Sequence, residues 1–413
     1  MLAAMAQATS FPKDKIKVLL LENIHSSARD LFREDNFIVE EVHGALDYDA
    51  LLKRVSGAHI IGIRSKTQLT EEVLAAAKRL LCVGCFCIGT NQVDLQAANV
   101  RGIPVFNAPF SNTRSVAELV LAEVVMLARQ LGDCVRQLHR GEWKKSATGR
   151  HEIRGKTLGV VGYGHIGSQV GVLAEAFGMR VLYFDISKKL PMGNNRPVAS
   201  LSELLAQSDF ITLHVPATSQ TQGMIQAEHI AQMRPGSYLV NASRGSVVNL
   251  EALAEAIKAE HIAGAAIDVY PKEPKKNGEH FDSPLIGLPN VVLTPHIGGS
   301  TEEAQESIGV EVGSACLDFT NNGSTASAVN FPQAELPLRA DSHRILNAHK
   351  NVPGVMAEIS RILGDLNANI HAQHLVTDDA TGYLITDLDK NVSEKVYQAI
   401  SGLDTNIKTR ILF

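Results

Sequence analysis

The chain has 413 residues, enough for two or three domains of ordinary size, and its 45% apolar and 20% charged residues exclude a disordered or fibrous protein. A net charge of −5 supplies no basic field for a nucleic acid, and no apolar run reaches the roughly 18–20 residues that cross a bilayer. Five cysteines are too few, and odd in number, for a disulfide framework, so composition points to a soluble, multidomain, cytoplasmic protein.

Met1–Ser10 is mildly apolar, has no basic residue before it and meets Lys13-Asp14-Lys15 soon after; it reads as a frayed tail rather than a targeting peptide. Apolar runs then alternate with helix-period segments, the rhythm of parallel sheets flanked by helices. The first strand series is Lys17–Leu21, Phe37–Val42, His59–Ile63, Leu80–Val83 and Pro104–Asn107. A long helix is expected from Ser115 to about Arg140, capped by Ser111 or Asn112. A second series follows at Lys156–Val161, Arg180–Phe184, Phe210–Val215, Ser237–Asn241, Ala265–Val269 and Asn290–Thr294. These six runs are almost continuously apolar, as strands buried on both faces must be.

A further helix is expected from Thr301 to about Phe319. Asn321-Asn322-Gly323-Ser324-Thr325, with Pro332 and Pro337 beyond it, then reads as a linker. The remaining residues give strand, helix, two strands, helix and strand: His343–Ala348, Val355–Leu366, Asn369–Val376, Gly382–Leu388, Val392–Leu403 and Ile407–Leu412. That order is a ferredoxin-like βαββαβ unit, with an open sheet edge or face suited to pairing with a second copy.

Gly162-Tyr163-Gly164-His165-Ile166-Gly167 follows one predicted strand and opens a helix. Gly162 permits a tight turn, Gly164 lets backbone approach a pyrophosphate, and Gly167 lets helix and strand pack closely. The helix N-terminus offers free N–H groups to the anion. Asp185 ends the next strand, at about the 20-residue spacing expected of an acid that accepts from ribose hydroxyls. Its charge repels a 2′-phosphate, so NAD is expected rather than NADP, although Lys188 and Lys189 lie close by.

Arg244, Glu273 and His296 each lie just past the end of a strand of the same predicted sheet, the side on which such folds bind ligands. Arg64-Ser65-Lys66 occupies the matching place after His59–Ile63. Two cations and a hydroxyl there suit a phosphate or a second carboxylate. Cys82, Cys85 and Cys87 lack a nearby histidine to complete a metal set, and His371 and His374 point to opposite faces of a strand, so no metal is expected.

Together with Gly162–Gly167, the runs Asn241-Ala242-Ser243-Arg244-Gly245, Asp268-Val269-Tyr270, Glu273-Pro274 and Thr294-Pro295-His296-Ile297-Gly298-Gly299 make the chain similar to the D-specific 2-hydroxyacid dehydrogenases. The similarity runs from about Lys13 to the C-terminus. It implies a flavodoxin-like substrate lobe at 1–111 and 299–338, a Rossmann NAD lobe at 112–298, and a regulatory ACT domain at 339–413. It also implies that Arg244 holds the substrate carboxylate, that His296 is the acid/base, and that Glu273 orients His296. Cofactor contacts would come from Gly162, Gly164, His165, Ile166, Gly167, Asp185, Ala242, Ser243, Asp268, Gly298 and Gly299. Substrate contacts would come from Arg64, Ser65, Lys66, Asn112 and, beside Trp143 of a neighbouring subunit, Lys144 or Lys145. Common forms of the family's loop have arginine where this chain has Lys66.

The implied reaction is NAD-dependent oxidation of 3-phospho-D-glycerate to 3-phosphohydroxypyruvate, the first step of serine synthesis. Serine would inhibit at His349, Asn351 and Asn369 in a homotetramer. Another 2-hydroxyacid (2-hydroxyglutarate, glyoxylate or hydroxypyruvate) and a non-catalytic NAD-sensing corepressor share parts of this pattern. The complete Arg244, Glu273 and His296 set argues against the second.

Overall fold

The computed structural model describes residues 10–274 and 278–413; the tail expected over Met1–Ser10 falls, Ser10 apart, outside them. The chain divides into two compact units, Met1–Ser111 with Gln305–Phe413, and Asn112–Ala304. The strands, in chain order, are β1 Lys17–Leu21, β2 Ile38–Val42, β3 Ile60–Ile63, β4 Cys82–Cys85, β5 Val105–Asn107, β6 Thr157–Val161, β7 Arg180–Phe184, β8 Arg196–Pro197, β9 Phe210–Leu213, β10 Ser237–Asn241, β11 Ile262–Ile267, β12 Val291–Leu293, β13 His343–Lys350, β14 Ile370–Thr377, β15 Thr381–Leu388 and β16 Asn406–Leu412.

In the first unit β1–β5 form a parallel sheet in the order β2-β1-β3-β4-β5, the flavodoxin-like arrangement. β3 and β4 are buried throughout, whereas β2 at the edge has no buried residue. Asp47, Thr70 and Asp94 cap the helices that follow their loops, each side chain accepting the backbone N–H three residues on.

The C-terminal part of this unit is an antiparallel sheet in the order β14-β15-β13-β16. This is the ferredoxin-like order expected from its βαββαβ sequence. Its helices, Val355–Asp365 and Ser393–Ser401, cover one face through Ile345, Leu384, Ile359 and Ile400. The opposite face is not open. Leu346, Tyr383 and Ile385 share a core with Phe106, Phe319 and Phe331, so all eight residues of β15 are buried.

The expected linker is likewise pinned. The Glu302–Asn322 helix ends at Gly323, whose φ of 77° suits only glycine comfortably and whose carbonyl accepts the Tyr383 hydroxyl at 2.7 Å. Arg344 is 3% exposed; it makes a bidentate pair with Asp387 at 2.7 and 2.8 Å and donates to the carbonyls of Asn322, Leu336 and Pro337.

The second unit holds one parallel sheet in the order β12-β11-β10-β9-β6-β7-β8, the Rossmann order with a seventh strand. The edge strand β8, third of this sheet in chain order, is two residues long and carries no apolar pattern, which is why the sequence does not announce it. The expected Ser115–Arg140 helix is two helices, Thr113–Arg129 and Leu131–His139, separated at Gln130 with φ 51°. Asn112 is the N-cap residue of the first, but its side chain makes no capping bond, and the Ser111 hydroxyl goes to Glu311 instead.

Candidate active site

The turn after β6 requires its glycines for three separate reasons. Gly162 has φ 89°, and a Cβ there would stand 2.6 Å from the His214 carbonyl oxygen. A Cβ on Gly167 would meet the Gly162 carbonyl oxygen at 2.1 Å, so helix and strand could not close. Gly164 has nothing within 4 Å of its Cβ position and is the N-cap of the His165–Ala176 helix. Open space above a helix N-terminus is the surface a pyrophosphate needs. His165 and Ile166 begin that helix.

Asp185 follows β7 and accepts Tyr163 N–H at 2.9 Å, Ser187 N–H at 2.9 Å and the Ser187 hydroxyl at 2.8 Å. Partial burial opposes its charge, but these hydrogen bonds outweigh it and hold the carboxyl below its usual range. The residues present therefore fit NAD: an anion cradle at the turn and an ionised acceptor where the adenosine ribose would lie.

At the same carboxyl edge of this parallel sheet the loops after β10, β11 and β12 meet. His296 turns Nδ1 to both carboxylate oxygens of Glu273, at 3.0 and 2.9 Å, and Tyr270 N–H donates to Glu273 at 3.2 Å. The hydrogen bond to Glu273 is the leading cause that raises the His296 pKa, against partial burial. Glu273 is pushed up by burial and down more strongly by His296 and Tyr270, ending below its usual value. Arg244 is close enough to lower the pKa of both. Its own loop is fixed by Asn241, whose side chain accepts from Ser243 N–H and hydroxyl and donates to the Arg244 carbonyl. Ala242 lies between them.

Asp268, 1% exposed, anchors the stretch that carries His296. It accepts the Thr294 hydroxyl at 2.6 Å and the N–H groups of Ile297 and Gly298, each at 2.8 Å. A Cβ on Gly298 would stand 3.0 Å from Asp268 Oδ2, and one on Gly299 would stand 2.4 Å from Asn112 Nδ2. Asn112 is thus packed beside this turn rather than capping its helix. A cavity of about 460 Å³ adjoins Glu273 and His296, lined also by Tyr270, Phe281 and Leu293.

Glu123 escaped the sequence reading. It is 1% exposed on the Thr113–Arg129 helix, and neither carboxylate oxygen has a hydrogen-bond partner among the described residues. Burial, reinforced by the nearby Asp268 charge, pushes it up to about 8, so at neutral pH it is held as an uncharged acid. The signal available was an acid seven residues after Val116, on the apolar stripe of an otherwise hydrophobic helix.

The remaining expected residues stand on other loops and strands. Arg64, Ser65 and Lys66 form the loop after β3 in the first unit, with Ser65 and Lys66 exposed. Trp143 is 80% exposed, and Lys144 and Lys145 follow it on the surface of the second unit. Of the expected effector residues, His349 is buried and turned into the sheet, its Nδ1 2.9 Å from Asn347 Oδ1 and its ring filling the space over Gly382. Asn351 donates to the Asp378 carbonyl at 2.6 Å, and Asn369 is exposed. Among the described residues no hydrogen bond joins these three, and no group of three His, Cys, Asp or Glu is placed to hold a metal. All five cysteines are free thiols, and no helix of the described residues is long and apolar enough to cross a membrane.

A carboxylate-held imidazole next to a guanidinium, beside a dinucleotide cradle, is equipped to exchange a proton with an oxygen while a hydride leaves the same carbon. Residues 121–298 match the family model for the NAD binding domain of D-isomer specific 2-hydroxyacid dehydrogenases. The chain belongs to that family. It is 52% identical to the D-3-phosphoglycerate dehydrogenase of Dictyostelium discoideum over 99% of this chain and 100% of the relative. It is 51% identical to the protein of the same name from Escherichia coli K12, over 98% and 99%. Among solved structures it resembles a D-lactate dehydrogenase from Aquifex aeolicus complexed with NAD and lactic acid, at 29% identity and a TM-score of 0.65, covering 73% of this chain and 95% of that one.

Proposed function

We propose that the chain is an NAD-dependent dehydrogenase that oxidises 3-phospho-D-glycerate to 3-phosphohydroxypyruvate, the entry step of serine synthesis. The observation that carries this reading is the Glu273-held imidazole of His296 with Arg244 beside it, in a chain about half identical to two phosphoglycerate dehydrogenases over nearly full length. Bound NAD supplies the hydride acceptor. Arg244 binds the substrate carboxylate and polarises the oxygen on C2, a task suited to a permanently charged planar fork. His296 takes the hydroxyl proton on Nε2, since Nδ1 is committed to Glu273. Glu273 stabilises the imidazolium so formed, and Asp268 fixes the backbone on which His296 stands.

Arg64, Ser65 and Lys66 bind the phosphate end of the substrate, with Asn112 as a further contact and Lys144 or Lys145 of a neighbouring copy adding charge. Functionally, 1–111 with 299–338 is the substrate-binding domain, 112–298 the NAD-binding domain and 339–413 the ACT regulatory domain. His349, Asn351 and Asn369 mark the serine site on it, and the assembly is a homotetramer. Five free thiols suit a reducing cytoplasm.

NADH formation from 3-phosphoglycerate, followed with and without serine, tests both levels of the proposal. Turnover that serine inhibits is expected. Absence of turnover with this substrate, alongside NADH formation from 2-hydroxyglutarate or NADH consumption with glyoxylate, would reassign the substrate, and serine-insensitive turnover would remove the effector. Arg64→Ala should raise the KM for 3-phosphoglycerate by about tenfold or more, the loss of one charged hydrogen-bond partner.

A further inference from the structure

The Arg64–Lys66 loop carries cations, and its backbone is held from other segments. Besides the Cys87 thiol, 3.5 Å from the Arg64 carbonyl, two buried polar side chains hold it. Glu22, 7% exposed, follows β1 and aims its carboxylate at the underside of the loop. Oε2 accepts Lys66 N–H at 3.0 Å and Oε1 accepts Thr67 N–H at 2.7 Å. On the opposite flank Gln92, 3% exposed, donates Nε2 to the Arg64 carbonyl at 2.6 Å and to the Gly89 carbonyl at 3.0 Å.

Glu22 reaches this position at a conformational cost. It and Asn23 stand consecutively in the left-handed region, at φ 65° and 53°. Neither is glycine, so the neighbouring structure must hold them there. Glu22 N–H donates to the Gly44 carbonyl at 3.0 Å, and Asn23 Oδ1 lies 2.7 Å from His43 Nδ1. A strained backbone kept in order to bury a carboxylate under a loop is unusual for a surface turn. Among the described residues the side chains of Arg64 and Lys66 make no ion pair, so the loop is braced from below while its charges are left available.

We propose that Glu22, assisted by Gln92, is a positioning residue that sets the Arg64–Lys66 backbone so that the loop meets the phosphate end of the substrate. This rests on the proposed role of that loop. The carboxylate itself would repel a phosphate, but its charge is spent on two backbone N–H groups, whose binding turns the side chains of residues 64–66 to the ligand side. Preorganisation of this kind lowers the ordering cost of binding and leaves the proton and hydride transfers, carried by other residues, untouched.

The test is the kinetics of three full-length variants. In Glu22→Gln the carboxamide retains one acceptor but sets an NH2 group against a backbone N–H; Gln92→Met removes the donor on the other flank. Each should raise the KM for 3-phosphoglycerate by about tenfold, with kcat within about twofold and the KM for NAD unchanged. Arg64→Ala, run in parallel, tests the loop itself. If Arg64→Ala raises that KM and the other two do not, or if they lower kcat and weaken NAD equally, Glu22 and Gln92 only support the fold and the inference is overturned. If Arg64→Ala also leaves the KM unchanged, the role of the loop fails and the inference fails with it. Should Glu22→Gln not fold, Gln92→Met decides alone.

Discussion

His296 directly follows Pro295 and has φ 55°, a conformation that costs a side-chain-bearing residue about 1–3 kcal/mol. It persists because Asp268 grips the next two N–H groups and Glu273 holds Nδ1, so the imidazole has one orientation before any ligand arrives. The same bonds set its titration. With its pKa raised chiefly by Glu273, the imidazole keeps its proton to higher pH than a free histidine. Alcohol oxidation needs the neutral ring and therefore gains as pH rises through the shifted value, whereas ketoacid reduction needs the protonated ring and declines there. Glu273→Gln removes the anion that raises the pKa, so the rising limb of oxidation should move to lower pH; an unmoved limb in kcat/KM for 3-phosphoglycerate would dissociate Glu273 from the proton transfer. His296→Ala should cost about 100- to 10,000-fold in kcat. Arg244, Glu273 and His296 were legible because each is a polar residue just past an apolar strand run. The Asp268 clamp and the positive φ of His296 were not, because both depend on backbone that arrives from a separate loop.

At the scale of elements, long apolar runs with turn signals located the strands well: β1, β7 and β10 begin and end where the sequence placed them. Elements without a hydrophobic pattern, such as β8, or set by one residue's dihedral, such as the break at Gln130, left no trace to read. The Thr113–Arg129 helix conceals a further property in its apolar stripe. Val116 and Leu119 pack against the Gly298 turn, and Glu123 continues that side of the helix beside Asp268. The folded chain holds the Glu123 proton up to about pH 8, whereas an unperturbed carboxyl loses it near pH 4.5. Between these limits the folded state binds more protons than the unfolded one, so stability falls as pH rises through the window. At roughly 1.4 kcal/mol per unit, this one carboxyl withdraws several kcal/mol by pH 9. Glu123→Gln is uncharged throughout. Its urea midpoint should match the parent near pH 5 and exceed it clearly at pH 9; parallel pH dependences would show that Glu123 ionises freely in the folded protein.

At the scale of the whole molecule, the βαββαβ pattern disclosed the C-terminal sheet, but the sequence left one edge or face of it open, and β15, with Thr381, Gly382, Thr386 and Asp387 among its residues, gave no sign of cover on both faces. What covers the second face was not legible either, since a strand's pattern does not record what a face is buried against. The partner is the rest of the first unit: Tyr383 and Ile385 pack with Phe319 and Phe331, and Arg344, paired with Asp387, donates to three backbone carbonyls between Asn322 and Pro337. This changes what a truncation would report. Ending the chain after Pro337 removes the apolar cover from Phe106, Phe319 and Phe331, at about 25 cal/mol for each Å² of apolar surface returned to water. The truncated protein should therefore melt at lower temperature and self-associate, both readable by calorimetry and sedimentation, and its loss of a serine response would not locate the effector site. Asn351→Ala changes only an exposed loop residue and its bond to the Asp378 carbonyl. It should abolish serine inhibition while the melting temperature stays within about 1–2 °C of the parent, as surface substitutions usually do. Retained inhibition in Asn351→Ala would move the effector site elsewhere, and a truncated chain as stable as the parent would show that the C-terminal sheet does not hold the first unit together.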